Sequence, residues 1–302
     1  DPAILDQLET FLVTTLGKSV VRAKDTPNFI ANRIGVFSMA ATIHHTAAFG
    51  LSLDLVDALT GPAIGRPKSA TYRTADVVGL DTMGHVFKGS ALALQHDPWR
   101  AYFTPPVWLT TLIEQGALGQ KTGTGIYAAK GKQVLNPETG EYQNAGAKPS
   151  EAVQAILKIR NPAEKFAALR ASADPQAQFL WAIHRDAFHY SAVLLAEIAD
   201  TARDVDLAIR GGFGWSMGPF EIWQAAGWKQ VADWINEDIA AGKAMTATAL
   251  PAWVADVQGV HTAKGSYSAA EYAYKPRSTL PVYQRQLYPE LVLGEAPHRY
   301  GE

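Results

Sequence analysis

The sequence predicts an all-α protein of two related helical modules with a small β-hairpin between them. In long segments, apolar residues recur every three to four positions, as in helices that bury one face. Strand-like alternation is limited to short stretches. A succession of long helix, short helix, glycine-containing bend and helix occurs in each half of the chain, at a shift of roughly 150 residues, which indicates one supersecondary unit used twice.

The first predicted elements lie at the start of the chain. Residues 3–16 have the pattern of a short helix, and residues 18–24 alternate and contain β-branched side chains, as strands do. Thr26 is a predicted helix cap, because Pro27 fits a first helical turn, where its missing N–H costs nothing. The apolar pattern then predicts a helix from Phe29 to about Phe49.

Further helices and one hairpin complete the first predicted module. Helical patterns cover residues 52–60, about 69–95 and 104–115. Ser52 is predicted to cap the first of these helices, and Gly61 to end it. Residues 125–128 and 133–135 lie on either side of a Lys-Gly-Lys turn, which predicts a short hairpin.

Helical patterns resume near residue 150, over 150–159, 163–172 and 174–201. The last of them carries one apolar stripe, formed by Phe179, Ile183, Ala187, Tyr190, Leu194 and Ile198. Prolines break any long period after Ala263, so the last residues are predicted to form an extended connector. The predicted boundaries are 1–24, 25–145 for the first module, 146–262 for the second module and 263–302 for the connector.

The repeat is clearest around two short helices. Residues 55–61, Leu-Val-Asp-Ala-Leu-Thr-Gly, are followed by Gly65, and residues 205–211, Val-Asp-Leu-Ala-Ile-Arg-Gly, are followed by Gly214. Both follow a long amphipathic helix. Two copies suggest pairing about a pseudo-twofold axis. The alternative is that any two segments of helix, glycine turn and helix look alike.

Composition excludes several classes of protein. The chain has 302 residues, 47% of them hydrophobic, which is enough for a buried core. Its formal net charge of −2 provides no global positive field, so no nucleic-acid partner is expected. The absence of cysteine excludes disulfides and fits a reducing, cytoplasmic location. No apolar stretch approaches the roughly 20 residues of a transmembrane helix, and the start at Asp1 is interpreted as an internal cut.

Several motifs together resemble the 3-hydroxyacyl-CoA dehydrogenase family. Residues 17–33, GKSVVRAKDTPNFIANR, are similar to a family segment at about ten positions in order. Later blocks follow in the family's order and spacing: Gly-Leu-Asp-Thr at 79–82, the Lys-Thr-Gly block within 116–127, and Met-Gly-Pro-Phe-Glu at 217–221. The resemblance covers residues 10 to 260, and two modules with a connector resemble the multifunctional β-oxidation enzymes that are fused to enoyl-CoA hydratase.

The resemblance implies an incomplete enzyme. The family oxidises 3-hydroxyacyl-CoA by hydride transfer to NAD, with a catalytic His–Glu pair in a Rossmann domain that precedes the GK segment. No glycine-rich turn opens a helix after a strand here, so neither that domain nor the pair is expected in this chain. Residues 1–24 would be the end of the missing domain. The isolated chain is expected to be inactive and to bind no NAD tightly by itself.

The resemblance also implies a fold and partners. The fold is expected to be similar to the helical C-terminal domain that this family shares with 6-phosphogluconate dehydrogenases. The expected partners are the chain's own Rossmann domain, the acyl-CoA substrate, a second copy in a homodimer and a fused enoyl-CoA hydratase domain.

Three residues are predicted to serve the site. Asn32 matches a family asparagine beside the C3 oxygen of the substrate, where an uncharged amide can donate a hydrogen bond. Lys121 matches a family lysine near NAD, where an ammonium would meet negative charge. Lys68, together with Arg66, is a candidate for CoA phosphates. The structural alternatives are a backbone contact for Asn32 and solvated loops for both lysines.

The histidines are predicted to pack. Adjacent helix residues diverge by about 100°, so His44 and His45 cannot both face one ion, and no metal site is expected. His184 and His189 accompany no carboxylate motif. Two other functions stay open at this point: a non-catalytic helical assembly module, and the helical domain of a different NAD-dependent dehydrogenase that acts on a short hydroxy acid.

Overall fold

The computed structural model describes residues 1–286 and 289–295, and within these ranges the chain is mostly helical. The helices of the N-terminal half (residues 1–145) are α1 (Pro2–Leu16), α2 (Ala31–Ala48), α3 (Leu53–Leu59), α4 (Tyr72–Val78), α5 (Leu80–Ala93) and α6 (Val107–Glu114). Those of the C-terminal half (from residue 146) are α7 (Glu151–Leu157), α8 (Pro162–Ala171), α9 (Pro175–Ile198), α10 (Ala202–Phe213), α11 (Pro219–Ala240), α12 (Trp253–Asp256) and α13 (Pro281–Gln284). The predicted helical fold is confirmed, and none of these described helices is long and apolar enough to cross a membrane.

Two small antiparallel sheets accompany the helices. Their strands are β1 (Tyr127–Ala128), β2 (Gln133–Leu135) and β3 (Tyr142–Asn144) in the first sheet, and β4 (His261–Thr262), β5 (Gly265–Ser268) and β6 (Ala273–Lys275) in the second. Within each sheet, every strand pairs with the strand that follows it along the chain. The predicted hairpin is therefore confirmed as β1 and β2, and β3 extends it.

The second sheet lies where the sequence predicts an extended connector. Strands β5 and β6 fall within residues 263–302, so this part of the predicted connector contributes to a small sheet. Tyr267 of β5 is 3% exposed, and its ring lies 5.1 Å from that of Trp253. Strands β5 and β6, of four and three residues, are too short for an alternation of side chains to reveal them. Residues 287–288 and 296–302 of the predicted connector lie outside the described residues.

The first helix is confirmed, but the predicted strand over residues 18–24 is not present. Helix α1 ends at Gly17, which has φ 60° and donates its N–H to the Leu12 carbonyl. Residues 18–24 run without a paired strand among the described residues. Val20, Val21 and Lys24 are partly buried, but a β-strand also needs the backbone of a neighbour.

Helix α2 begins later than predicted. Asn28 and Phe29 have φ values of 68° and 50°, so the chain passes through a left-handed turn before the helix starts at Ala31. Thr26 does not cap the helix, and its buried Oγ1 has no hydrogen-bond partner among the described residues. Instead, Asn28 Nδ2 donates to Ser90 Oγ at 2.9 Å, which ties this turn to α5.

A glycine divides the helical pattern predicted over residues 69–95. Gly79 has φ 101°, a region that residues with a Cβ rarely adopt, and it separates α4 from α5. Helix α3 confirms the predicted helix of residues 52–60, although Ser52 donates to the Asp54 carboxylate at 2.7 Å and caps no backbone amide.

The two halves share one core, built around α2 and α9. The Phe37 and Tyr190 rings stack at 3.8 Å where these helices cross. All six residues of the predicted stripe on α9 are buried. Most of the rest of α9 is buried as well, because α2, α8 and α11 pack against different sides of it. It is therefore a central helix rather than a surface helix.

Candidate functional site

Asn32 lies in the first turn of α2 with its side chain exposed. It makes no hydrogen bond to any residue that the structure describes. The predicted alternative, a local backbone contact that occupies the amide, is therefore not seen. An exposed amide on a well-packed helix can donate to an external carbonyl or hydroxyl oxygen without changing charge.

Arg33 points to the other side of the same turn, as the helical spacing predicts. Its guanidinium is 2% exposed and contacts three groups: Asp97 Oδ2 at 2.9 Å, Tyr190 Oη at 2.8 Å and Glu197 Oε1 at 3.3 Å. Burial alone would lower the pKa of Arg33, but Tyr190, Glu197 and Asp97 raise it. Arg33 therefore stays charged and joins α2 to α9.

Lys121 lies on the surface in an ion pair with Asp81. Its Nζ is 2.6 Å and 2.7 Å from the two carboxylate oxygens. The hydrogen bond from Lys121 lowers the pKa of Asp81. Lys121 Nζ also approaches Gly79 closely, since a Cβ built on that glycine would lie 3.1 Å from it. The ammonium is thus held at the bend between α4 and α5.

The two basic residues proposed for CoA phosphates are separated by the fold. Lys68 is exposed. Arg66 is buried, with its guanidinium 4.1 Å from the centre of the Trp215 ring, and burial lowers its pKa to about 9. Arg66 forms no ion pair within the described part of the chain. It therefore belongs to the contact between the two halves, and only Lys68 stays available to a phosphate.

His45 is buried where α2 packs on α9, whereas the neighbouring His44 is exposed and its ring lies 4.8 Å from that of Tyr102. His45 Nε2 is 2.6 Å from Asp186 Oδ2, and Arg185 also contacts that carboxylate at 2.8 Å. Asp186 is fully buried, and although burial raises its pKa, the contacts with His45 and Arg185 together lower it overall. No group of three potential metal ligands occurs among residues 1–286 and 289–295.

His184 and His189 are both buried in α9, and burial lowers the pKa of each to about 4. In the unfolded chain they would accept protons near pH 6.5, whereas in the folded protein they stay neutral until about pH 4. Their contribution to stability is therefore complete above pH 6.5 and is lost as the pH falls toward 4. For each histidine, the fall in pH from 6.5 to 4 is expected to lower the free energy of unfolding by about 3 kcal/mol.

His184→Phe is expected to make the free energy of unfolding less dependent on pH between 6.5 and 4, because it removes a buried titratable ring. Phe166 and Phe188 surround that ring, so an apolar side chain fits there. Urea unfolding at several pH values measures this. The exposed His85 supplies the control, since His85→Gln should leave the dependence unchanged. Parallel pH profiles for His184→Phe and the unsubstituted chain would contradict the prediction.

Two buried aspartates form contacts that were not predicted from the sequence. Asp57 accepts the backbone amides of residues 71–73 and the Tyr127 hydroxyl, at distances of 2.6–3.0 Å. Asp206 accepts the Phe220 amide at 2.9 Å and contacts His261 Nε2 at 2.6 Å. Each joins the start of a later helix to a strand. In the sequence, each aspartate follows a valine, at Val56-Asp57 and at Val205-Asp206, in the two segments compared above.

His261 also contacts Ser266 Oγ at 2.8 Å, so Asp206, His261 and Ser266 form a row like that of a serine hydrolase. Asp206 is fully buried and Ser266 is 2% exposed. Asp206 also accepts the Phe220 amide of a helix. Ser266 lies in a strand, whereas the nucleophilic serine of such a hydrolase lies at a sharp exposed turn. The row therefore connects β4 and β5 to α10 and α11.

Comparison with known proteins gives the family of these residues. The model of the family described as 3-hydroxyacyl-CoA dehydrogenase, C-terminal domain, matches residues 29–129, a range that contains Asn32, Lys68 and Lys121. A Bacillus subtilis (strain 168) protein named "Probable 3-hydroxyacyl-CoA dehydrogenase" is 42% identical over 239 residues, which cover 78% of this chain and 30% of that protein.

A Rickettsia prowazekii (strain Madrid E) protein, whose name describes a trifunctional enzyme of a fatty acid oxidation complex, is 27% identical over 247 residues, covering 77% of this chain and 33% of that protein. The crystal structure of 3-hydroxybutyryl-CoA dehydrogenase from Escherichia coli K12 is similar in fold, with a TM-score of 0.58 and 18% identity, over 80% of this chain and 61% of that chain. This chain thus spans about a third of the length of these two curated relatives. Over residues 29–129, the chain belongs to the 3-hydroxyacyl-CoA dehydrogenase family, as one of its C-terminal domains.

Proposed function

We propose that this chain is the helical part of an NAD-dependent 3-hydroxyacyl-CoA dehydrogenase of fatty acid β-oxidation. In this proposal, residues outside the chain supply the Rossmann domain and the catalytic His–Glu pair. The observation that carries the proposal is the exposed amide of Asn32, which bonds no described residue, on a helix whose buried side is anchored by Arg33. The family match over residues 29–129 supports it.

The proposed role of Asn32 follows from the chemistry of its amide. The Nδ2 group donates a hydrogen bond to the C3 oxygen of the acyl-CoA, which is a hydroxyl in the substrate and a carbonyl in the product. Because the amide has no charge, it orients this oxygen without competing for the proton that the His–Glu pair removes. NAD, when bound, accepts the hydride from C3.

Two lysines would meet the negative charges of the ligands. Lys121 keeps one donor beyond its two hydrogen bonds to Asp81 and lies at an exposed bend, so it suits the edge of a dinucleotide site. Lys68 is exposed and unpaired among the described residues, so it suits a CoA phosphate. No glycine-rich turn joins a strand to the start of a helix in this sequence, which is why tight NAD binding is assigned to the Rossmann domain.

The chain is further proposed to contain two copies of one helical module. Asp57 and Asp206 both accept amides at the start of the helix that follows the glycine-containing bend. A glycine with positive φ then bends the chain in each half: Gly79, at 101°, between α4 and α5, and Gly227, at 102°, within α11. Arg66 and Trp215 occupy matching positions and stack on each other, as equivalent residues do near a twofold axis.

The sheets support the same proposal and move one boundary. In both sheets, a tyrosine of the third strand donates to the glycine that precedes the first strand: Tyr142 to Gly125, and Tyr274 to Gly259. The second module therefore extends beyond residue 262, to Lys275. It packs against the first module as the partner subunit of a dimer would.

Helix α1 carries the surface proposed to dock on the Rossmann domain. Its exposed apolar side chains share one side of the helix, and they are Ile4, Leu5, Leu8, Phe11 and Leu16. Each is at least half exposed, which is costly for a stripe that lies on one helix. A helix that is the end of a neighbouring domain would bury this stripe against it.

The purified chain is expected to form no NADH from NAD and 3-hydroxybutyryl-CoA, because it lacks the His–Glu pair. Adding a separately produced Rossmann domain of a 3-hydroxyacyl-CoA dehydrogenase should restore NADH formation. Leu8→Glu should prevent this restoration by charging the α1 stripe, whereas Thr14→Glu, on another side of α1, should not. NADH formation by the chain alone would overturn the proposal.

A further inference from the structure

The first turn of α2 has few local constraints. The two residues at φ 68° and 50° precede it, and its cap, Ile30, offers no side-chain hydrogen bond to the free amides. In such a helix, the position of the first turn depends on tertiary contacts. Asn32 lies in this turn, so whatever holds the turn also places the Asn32 amide.

The contacts that hold this turn come largely from the C-terminal half. Arg33 reaches Tyr190 and Glu197 of α9. Ala31 packs on Gly212 of α10 so closely that a Cβ on that glycine would lie 2.9 Å from the Ala31 Cβ. Both sides of the turn are thus held by residues more than 150 positions away in the sequence.

Tyr190 is the centre of this arrangement. Its hydroxyl accepts from Arg33 Nε at 2.8 Å and donates to Asp97 Oδ2 at 2.8 Å, while Arg33 Nη2 donates to the same Asp97 oxygen at 2.9 Å. Asp97 Oδ1 in turn accepts the Trp99 amide. Arg33, Tyr190 and the Asp97 side chain are almost fully buried, so the three groups have fixed positions and little competition from water.

We propose that Tyr190 is a positioning residue for the Asn32 amide, through its hydrogen bond to Arg33. This inference rests on the proposed function of Asn32. It gives the C-terminal half a role in the reaction, because a residue without substrate contact fixes the direction of the donor that meets the C3 oxygen. Small misplacement of such a donor is costly, since transition-state stabilisation depends on its geometry.

The test uses Tyr190→Phe in a complete dehydrogenase chain that contains these residues and its Rossmann domain. The ring keeps its 3.8 Å stack on Phe37, and only the hydroxyl is removed. We expect kcat to fall about tenfold with KM nearly unchanged. Tyr102→Phe is the matched control, because the Tyr102 hydroxyl also connects the two halves, at 2.7 Å to the Met245 carbonyl, but contacts nothing near Asn32.

A double-mutant cycle separates positioning from general loss of stability. If Tyr190 acts through Asn32, Tyr190→Phe should cost little further activity in the Asn32→Ala background. An equal loss of kcat in both backgrounds, or a loss that Tyr102→Phe reproduces, would overturn the inference. If Asn32→Ala itself has no kinetic effect, the proposed function of Asn32 fails instead, so the two failures can be distinguished.

Discussion

Asn32→Ala, in a complete dehydrogenase chain that contains these residues, is expected to lower kcat/KM about 100-fold, as loss of one preorganised donor does. The reason is geometric: Asn32 is exposed and uncommitted, on a helix that is fixed by buried contacts. Most of the loss should be in kcat, because the donor matters most when charge changes at the C3 oxygen. Steady-state kinetics with a 3-hydroxyacyl-CoA and NAD measures both constants.

The control for this substitution is stability. Because Asn32 makes no hydrogen bond to a described residue, its replacement should change the free energy of unfolding by less than about 0.5 kcal/mol. Asn32→Asp keeps the size of the side chain but removes the donor, and it should lose at least as much activity as Asn32→Ala. Unchanged kinetics in both variants would favour a non-catalytic assembly module.

Asp206→Ala is expected to lower the free energy of unfolding by about 3 kcal/mol, because it leaves His261 Nε2 and the Phe220 amide buried without a partner. The carboxylate joins α10 to the start of α11 and to β4. Its loss should therefore loosen the second sheet as well as the helices. Urea unfolding measures the free energy, and hydrogen exchange of β5 amides reports the sheet.

Asp200→Ala is the matched control for Asp206→Ala. The Asp200 side chain is 57% exposed, and its ion pair with Lys24 is long, at 3.9 Å. Its removal should therefore lower the free energy of unfolding by less than about 0.5 kcal/mol. Equal stability of the two variants would mean that the second sheet contributes nothing to the cooperative core.

The sequence by itself was sufficient for several of the helices and for the family segment. Helical hydrogen bonds join residues four apart, so α1, α3, α6 and the stripe of α9 leave their pattern in the local order of side chains. The segment around Asn32 was found in the same way, because its identity depends on neighbours along the chain. Asp57 and Asp206, whose contacts only the structure shows, each follow a valine in the sequence.

Tertiary structure alone decided which side chains meet. It left residues 18–24 unpaired, made a sheet of residues 261–275, and began α2 only at Ala31. It buried Arg66 under Trp215 and placed Tyr190, 157 residues from Arg33, on the guanidinium beside Asn32. These contacts depend on how α2 and α9 cross, and a crossing is set by packing between distant side chains, which has no period in the sequence to reveal it.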